Sequence, residues 1–147
     1  MDGTAGQGRG WREGLRDGVP YSAAAFLLAL SFGVVATDAG MPAGAAIGMS
    51  ALVYAGSGQF AALGIVGAGG GLAAAVGAAT LVSSRFVPMG YALGPSLRGS
   101  RLRRALEGQA NVETSWAMAA RGDGRFDREY LFGHSGAQYA AWVAGTV

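Results

Sequence analysis

The chain has 147 residues, of which 51% are hydrophobic and only 14% charged, well short of the roughly 25% charge typical of soluble domains. That is too little charge to solvate a globular surface, and the lack of cysteine excludes a disulfide-stapled secreted scaffold. A formal net charge of +2, with no long block of like charge, excludes a nucleic-acid partner.

Residues 1–10 are rich in Gly and read as a disordered tail, leaving 11–147 as one transmembrane domain. All basic residues are Arg and none is Lys, so only the position of an Arg carries information. The uncharged stretch Val19–Thr37 matches the roughly 20 residues needed to cross a hydrocarbon core and predicts a first span over 19–38. Arg9, Arg12 and Arg16 before it, and Val34-Val35-Ala36 at its end, also resemble a signal peptide. Against that reading, Ala39–Ser84 follows with no side chain ionised at neutral pH, a run that demands lipid.

Gly67, Gly69, Gly70 and Gly71 interrupt that run where a helix starting near Pro42 would have crossed, so the second span is predicted at 43–66. Gly44 and Gly48 within it have the small-xxx-small spacing that lets helices approach closely. Residues 72–97 are apolar apart from Arg85, with Pro88 soon after. An intramembrane Arg must face protein or a watery cavity. Proline removes a backbone donor, so a broken or re-entrant helix is predicted around 84–88. Placing Arg98, Arg101, Arg103 and Arg104 on the same side as the N-terminal arginines favours two full crossings followed by a re-entrant tip near Arg85; a kinked full span is the alternative.

Residues 105–120, carrying Glu107 and Glu113, read as an amphipathic or short span, 121–129 as a charged loop, and 130–147 as a last span. The fold class is thus all-α, a polytopic transmembrane bundle. No charged stop follows the last run, which suggests a C-terminally truncated form of something longer.

Two groupings could carry chemistry. On a continuous helix, Ser50, Tyr54 and Ser57 share one face. Gly56-Ser57-Gly58-Gln59 then places two glycines and an amide at mid-membrane, where a locally unwound helix would expose backbone groups to a small polar solute. The competing reading makes these side chains simple interhelical hydrogen bonds. Arg85 and Glu113 form the second grouping, as an ion pair or a site of proton coupling; the alternative leaves Glu113 exposed on an interfacial helix.

Gly69, Gly71 and Ala74 fit a dinucleotide-loop spacing but lack the strand and the later acid that would give it meaning. His134 stands without Cys or clustered acids, so no metal site is read and no cofactor is expected. No nucleophile-base-acid set can be assembled, which argues against an enzyme.

Gly18-Val19-Pro20, Met49-Ser50 and Tyr54-Ala55-Gly56-Ser57-Gly58-Gln59-Phe60 resemble the AzlC/YgaZ-type branched-chain amino acid permeases. The likeness continues through Ser83-Ser84-Arg85-Phe86, similar to an Asn-x-Arg-His stretch of that family, then Asn111-Val112-Glu113-Thr114 and the closing Gly145-Thr146, covering about 14–147. Ser83 and Phe86 depart from the family's Asn and His, and Val112 from the acid that precedes Glu113. The resemblance implies export of branched-chain amino acids or analogues across the inner membrane, as the large subunit beside a small AzlD/YgaH-type partner. If the further C-terminal spans usual in that family are missing here, function would need a partner or a homo-oligomer, or be absent.

Combining these, Ser50, Tyr54, Gly56, Ser57, Gly58, Gln59 and Arg85 are the expected substrate-binding residues, with Arg85 attracting a carboxylate and Glu113 balancing it or carrying a proton. The alternative from another class is a non-transporting assembly or scaffold subunit. A scaffold should enclose Ser57, Gln59 and Arg85 fully among helices; a carrier should leave them around a shared hollow.

Overall fold

The computed structural model describes residues 8–147. Among them the chain is all helical, with one isolated bridge between Ala120 and Phe126. Of the expected tail 1–10, residues 1–7 lie outside the described residues; Arg9 meets Asp127 at 3.2 Å and covers the Tyr130 ring.

Helix α1 (Trp11–Asp38) is the one described helix that is by itself long and apolar enough to cross a membrane. It stops at Gly40, whose φ of +82° lets the Met41 amide reach back to the Ala36 carbonyl at 2.9 Å, a closure that L side chains disfavour. The last helix, α8 (Arg128–Gly145), lies along α1 and runs parallel to it, Gly14 meeting the Tyr130 backbone near one end and Gly33 meeting Thr146 near the other. Gly18 abuts the His134 backbone, Gly133 that of Trp11 and Gly145 that of Phe26, so a Cβ at any of these positions would strike main chain. Lipid supplies no hydrophobic drive between helices, and close backbone approach replaces it. Gly44 and Gly48, singled out by their spacing, face open space instead.

The stretch predicted as one span over 43–66 is two helices, α2 (Ala43–Val53) and α3 (Gly56–Gly67). Between them Tyr54 takes a left-handed conformation (φ 42°, ψ 44°) and Ala55 a non-helical one (φ −131°, ψ 71°). The chain folds back there: the Gln59 amide reaches the Ser50 hydroxyl at 3.4 Å, whereas nine residues of unbroken helix would separate the two by about 13 Å. Consequently Ser50, Tyr54 and Ser57 do not share a helix face. Ser50 is sealed in the core against Thr146 at 2.8 Å, while Ser57 lies beyond the turn.

Helix α4 (Leu72–Ser83) packs along α3 in a hairpin and continues, after a bend of 46° at Ser84–Arg85, into α5 (Phe86–Leu93) and a 3-10 turn (Gly94–Ser96). The helix is broken around 84–88, as expected; its 46° bend does not reverse the chain, whereas the chain does fold back at Tyr54–Ala55. Leu93 ends in a cluster with Ala119, Phe126 and Tyr130, and the Ser96 hydroxyl accepts from the Phe126 amide at 3.1 Å. The arginines at 98, 121, 125 and 128 therefore gather with Arg9 at one end of the molecule, the basic end.

Residues 105–120, expected as a single element, contain most of α6 (Arg101–Gly108) and all of α7 (Glu113–Ala119). Glu107 on α6 binds Arg128 at the basic end. Beyond the turn Thr114 bonds Gln138 at 2.8 Å, and by Met118 the chain has returned to Arg9. The Ser115 hydroxyl ties the turn by donating to the Ala110 and Val112 carbonyls and accepting from the Val112 amide. Two partial hairpins, α2–α3 and α6–α7, thus enter from opposite ends and bring their turns to the middle of the molecule.

Candidate functional site

Where the two turns approach, a hollow of about 400 Å³ opens, a size suited to a small ligand. Three helices start at its edge: α3 at Gly56, α5 at Phe86 and α7 at Glu113. A helix start carries unsatisfied N–H groups and a partial positive charge. At α7 Glu113 already answers that charge, and at α5 Val87 is bonded to Ser84 and Pro88 has no N–H. The start of α3 is therefore the one that favours an anionic group there.

Arg85 stands at the bend before α5. Its guanidinium donates to the Ser57 hydroxyl at 2.5 Å and meets the Glu113 carboxylate at 2.6 Å, joining the two hairpins and the bent α4–α5 pair through one side chain. Both charged side chains are about half exposed (46% and 50%), because they edge the hollow rather than a packed interior. Guanidinium has five donors, so this geometry leaves N–H groups for a ligand. Glu113 in the first turn of α7 is placed where a negative charge is favoured.

The remaining wall is apolar and aromatic, with Leu28 on α1, Phe60 on α3, Phe86 on α5 and Trp142 on α8. Gly56 is needed at this wall because the Trp142 ring occupies the place a Cβ would take. The hollow therefore has a charged end and an oily end.

Of the expected binding residues, Tyr54, Gly56, Ser57 and Arg85 line the hollow, and Glu113 joins them. Tyr54 also spans to α8, donating to the Ser135 carbonyl at 3.3 Å. The structure separates Ser50, Gly58 and Gln59 from that group: none lines the hollow. Gln59 is fully buried with its side-chain oxygen unpartnered among the described residues, and Gly58 abuts Ser83.

Sequence reasoning missed Tyr21, Thr114, Gln138 and Trp142 in the wall. Thr114 donates to Gln138 at 2.8 Å, and the Gln138 amide nitrogen meets the ring nitrogen Nδ1 of buried His134 at 2.9 Å, so a polar chain leads from the hollow into the α1–α8 interface. A signal was present: His134, Gln138 and Trp142 recur every four residues and so fall on one helix face.

A sequence model of the family described as "AzlC protein" matches residues 20–147. The chain belongs to the AzlC family. No curated protein and no solved structure matches it. AzlC proteins are a transport family associated with branched-chain amino acids and generally work with a small AzlD partner. The match takes in every residue that walls the hollow, from Tyr21 to Trp142, and leaves Arg9 outside. An AzlC chain with an apolar crossing helix and a bent helix pair is a helical membrane protein, and the hollow is the place where such a chain could hold a solute.

Proposed function

We propose that this AzlC chain carries an amino acid with a branched apolar side chain through the hollow between the two hairpin turns, as the exporting large subunit of a two-component permease in the cell's inner membrane. The observation that carries the reading is Arg85 held between Ser57 and Glu113 on the rim of a hollow whose opposite wall is Leu28, Phe60 and Trp142.

A zwitterion matches that layout. Its carboxylate would take Arg85 and the N–H groups at the start of α3, its ammonium would take Glu113, and its aliphatic branch would lie on the aromatic wall. Half-helices ending near the midplane are a recurring transporter device, since they place backbone charge where solute passes without exposing it to lipid. The opening of Ser57 and Arg85 onto a shared hollow supports a carrier over a scaffold subunit, although Gln59 is enclosed. The single transmembrane domain is proposed to place the basic end in the cytoplasm, in keeping with the excess of arginine there.

The test is efflux of labelled leucine or valine from vesicles that contain the chain and its small partner. Arg85→Ala is expected to slow efflux at least tenfold and Arg85→Lys less, since a lysine keeps the charge but not the planar fork. Unchanged efflux in Arg85→Ala would remove the hollow from the transport path.

A further inference from the structure

The basic end holds a second hollow, of about 570 Å³, framed by the 3-10 turn after α5, the loop before α8 and Arg9. Five arginines line it, at 9, 98, 121, 125 and 128, against two acids, Asp127 and Glu129. Asp127 is only 7% exposed and holds Arg9 and Arg121 as a bracket, each at 3.2 Å. Arg128 is held by Glu107 and Glu129 at 2.5 Å. Arg98 and Arg125, by contrast, form no ion pair with a described residue, so the charge excess of the wall rests on them.

We infer that this hollow is a binding site for a phosphate group. Carboxylates fix three guanidinium groups in position while leaving some of their five donors unused, and a tetrahedral anion accepts from several such forks at once. The two unpaired arginines supply the positive charge that the ligand would neutralise. The hollow lies where α5 ends and α8 begins, at the border between apolar and charged sequence. An anionic lipid presents its phosphate at that depth, and a free phosphate reaches the same groups from water. The inference does not depend on the transport reading, because it concerns a different set of residues.

The purified chain in neutral detergent, given phosphatidylglycerol and read by native mass spectrometry, tests the lipid source; titration with inorganic phosphate by calorimetry tests the free ion. Arg98→Gln with Arg125→Gln is compared with Arg12→Gln and Arg101→Gln, a pair that removes equal charge outside the hollow. The first pair is expected to weaken binding at least tenfold and the second less than twofold, with both effects shrinking at high salt. Loss confined to phosphatidylglycerol identifies a lipid headgroup, and loss confined to inorganic phosphate, or shared by both probes, identifies a site open to the free ion. Where the double variant fails to fold, Arg98→Gln alone, at an exposed side chain, is expected to weaken binding about threefold. Equal weakening by the two pairs, no weakening by Arg98→Gln, or no binding of either probe by the natural sequence would overturn the site.

Discussion

Arg85 links the packing of two hairpins to the proposed binding site. It joins α3 to α7 through Ser57 and Glu113, yet remains half exposed at the rim of a hollow. An ion pair that open to solvent contributes little to stability, about 0–1 kcal/mol, so the proposed binding role and a packing role make different predictions for its partners. Ser57→Ala is accordingly expected to leave the melting temperature within about 2 °C of the parent while lowering transport severalfold. Gln138→Leu is expected to cost stability as well, because Gln138 is bonded in the interior besides lining the hollow. It would strip buried His134 of its partner, and an unpaired buried polar group costs about 1–3 kcal/mol, so thermal unfolding followed by circular dichroism should show a clear drop in melting temperature. If Ser57→Ala destabilised the fold as much as Gln138→Leu, Ser57 would be a structural link and not a part of the site.

Among the elements, the parallel α1–α8 pair is the frame on which both hairpins hang. Its closeness depends on glycines whose neighbours are main-chain atoms, which cannot move aside as a flexible side chain can. Gly133→Ala should therefore destabilise by about 1–3 kcal/mol, whereas Gly44→Ala, facing open space, should be neutral or slightly stabilising because alanine favours helix. Chemical unfolding of the two variants in detergent distinguishes them, and equal stability would place the seam elsewhere. Sequence spacing pointed to Gly44 and Gly48 because they lie within an apolar run. Gly14 and Gly18 have the same spacing, but the flanking Arg16 and Asp17 hid them among charges. The break in α2–α3 was legible only as a local weakness. The glycines of Gly56-Ser57-Gly58 signalled an unwound point, but reversal of direction at Tyr54 depends on partners far away in sequence, such as Thr146, which seals Ser50, and Ser135, which anchors the tyrosine.

For the molecule as a whole, the basic end is tied by carboxylates, and that gives a pH dependence with a definite sign. Hydrogen bonds from Arg128 above all pull the Glu107 carboxyl down to about 2 from an ordinary 4.5, with the Arg98 amide and Arg103 acting in the same direction. A carboxyl lowered in the folded state adds stability that is complete above about pH 4.5 and is lost as the pH falls toward about 2. Glu107→Gln should thus lower the melting temperature near neutral pH and make little difference at the acid end of that window. A variant deficit that stayed constant across the window would mean that Glu107 acts through shape alone.

Some of this was determined by residue order alone. A low charge content and long uncharged runs demand a helical membrane chain, since only internal backbone hydrogen bonds satisfy N–H and C=O groups in lipid, and Arg85 with Pro88 marks a disrupted helix. The motif residues at 54–60, 83–86 and 111–114 likewise announced the family. Tertiary packing decided which of those residues meet. It sent Ser50 and Gln59 into the core and Ser57 to the hollow, added Gln138 and Trp142 from α8, and moved the fold-back from Arg85 to Tyr54. The physical reason is that composition and periodicity report the solvent each residue prefers, whereas a site is built by contacts between distant segments, from 28 positions for Arg85–Ser57 to 81 for Tyr54–Ser135, and those depend on how closely glycine-lined helices can approach.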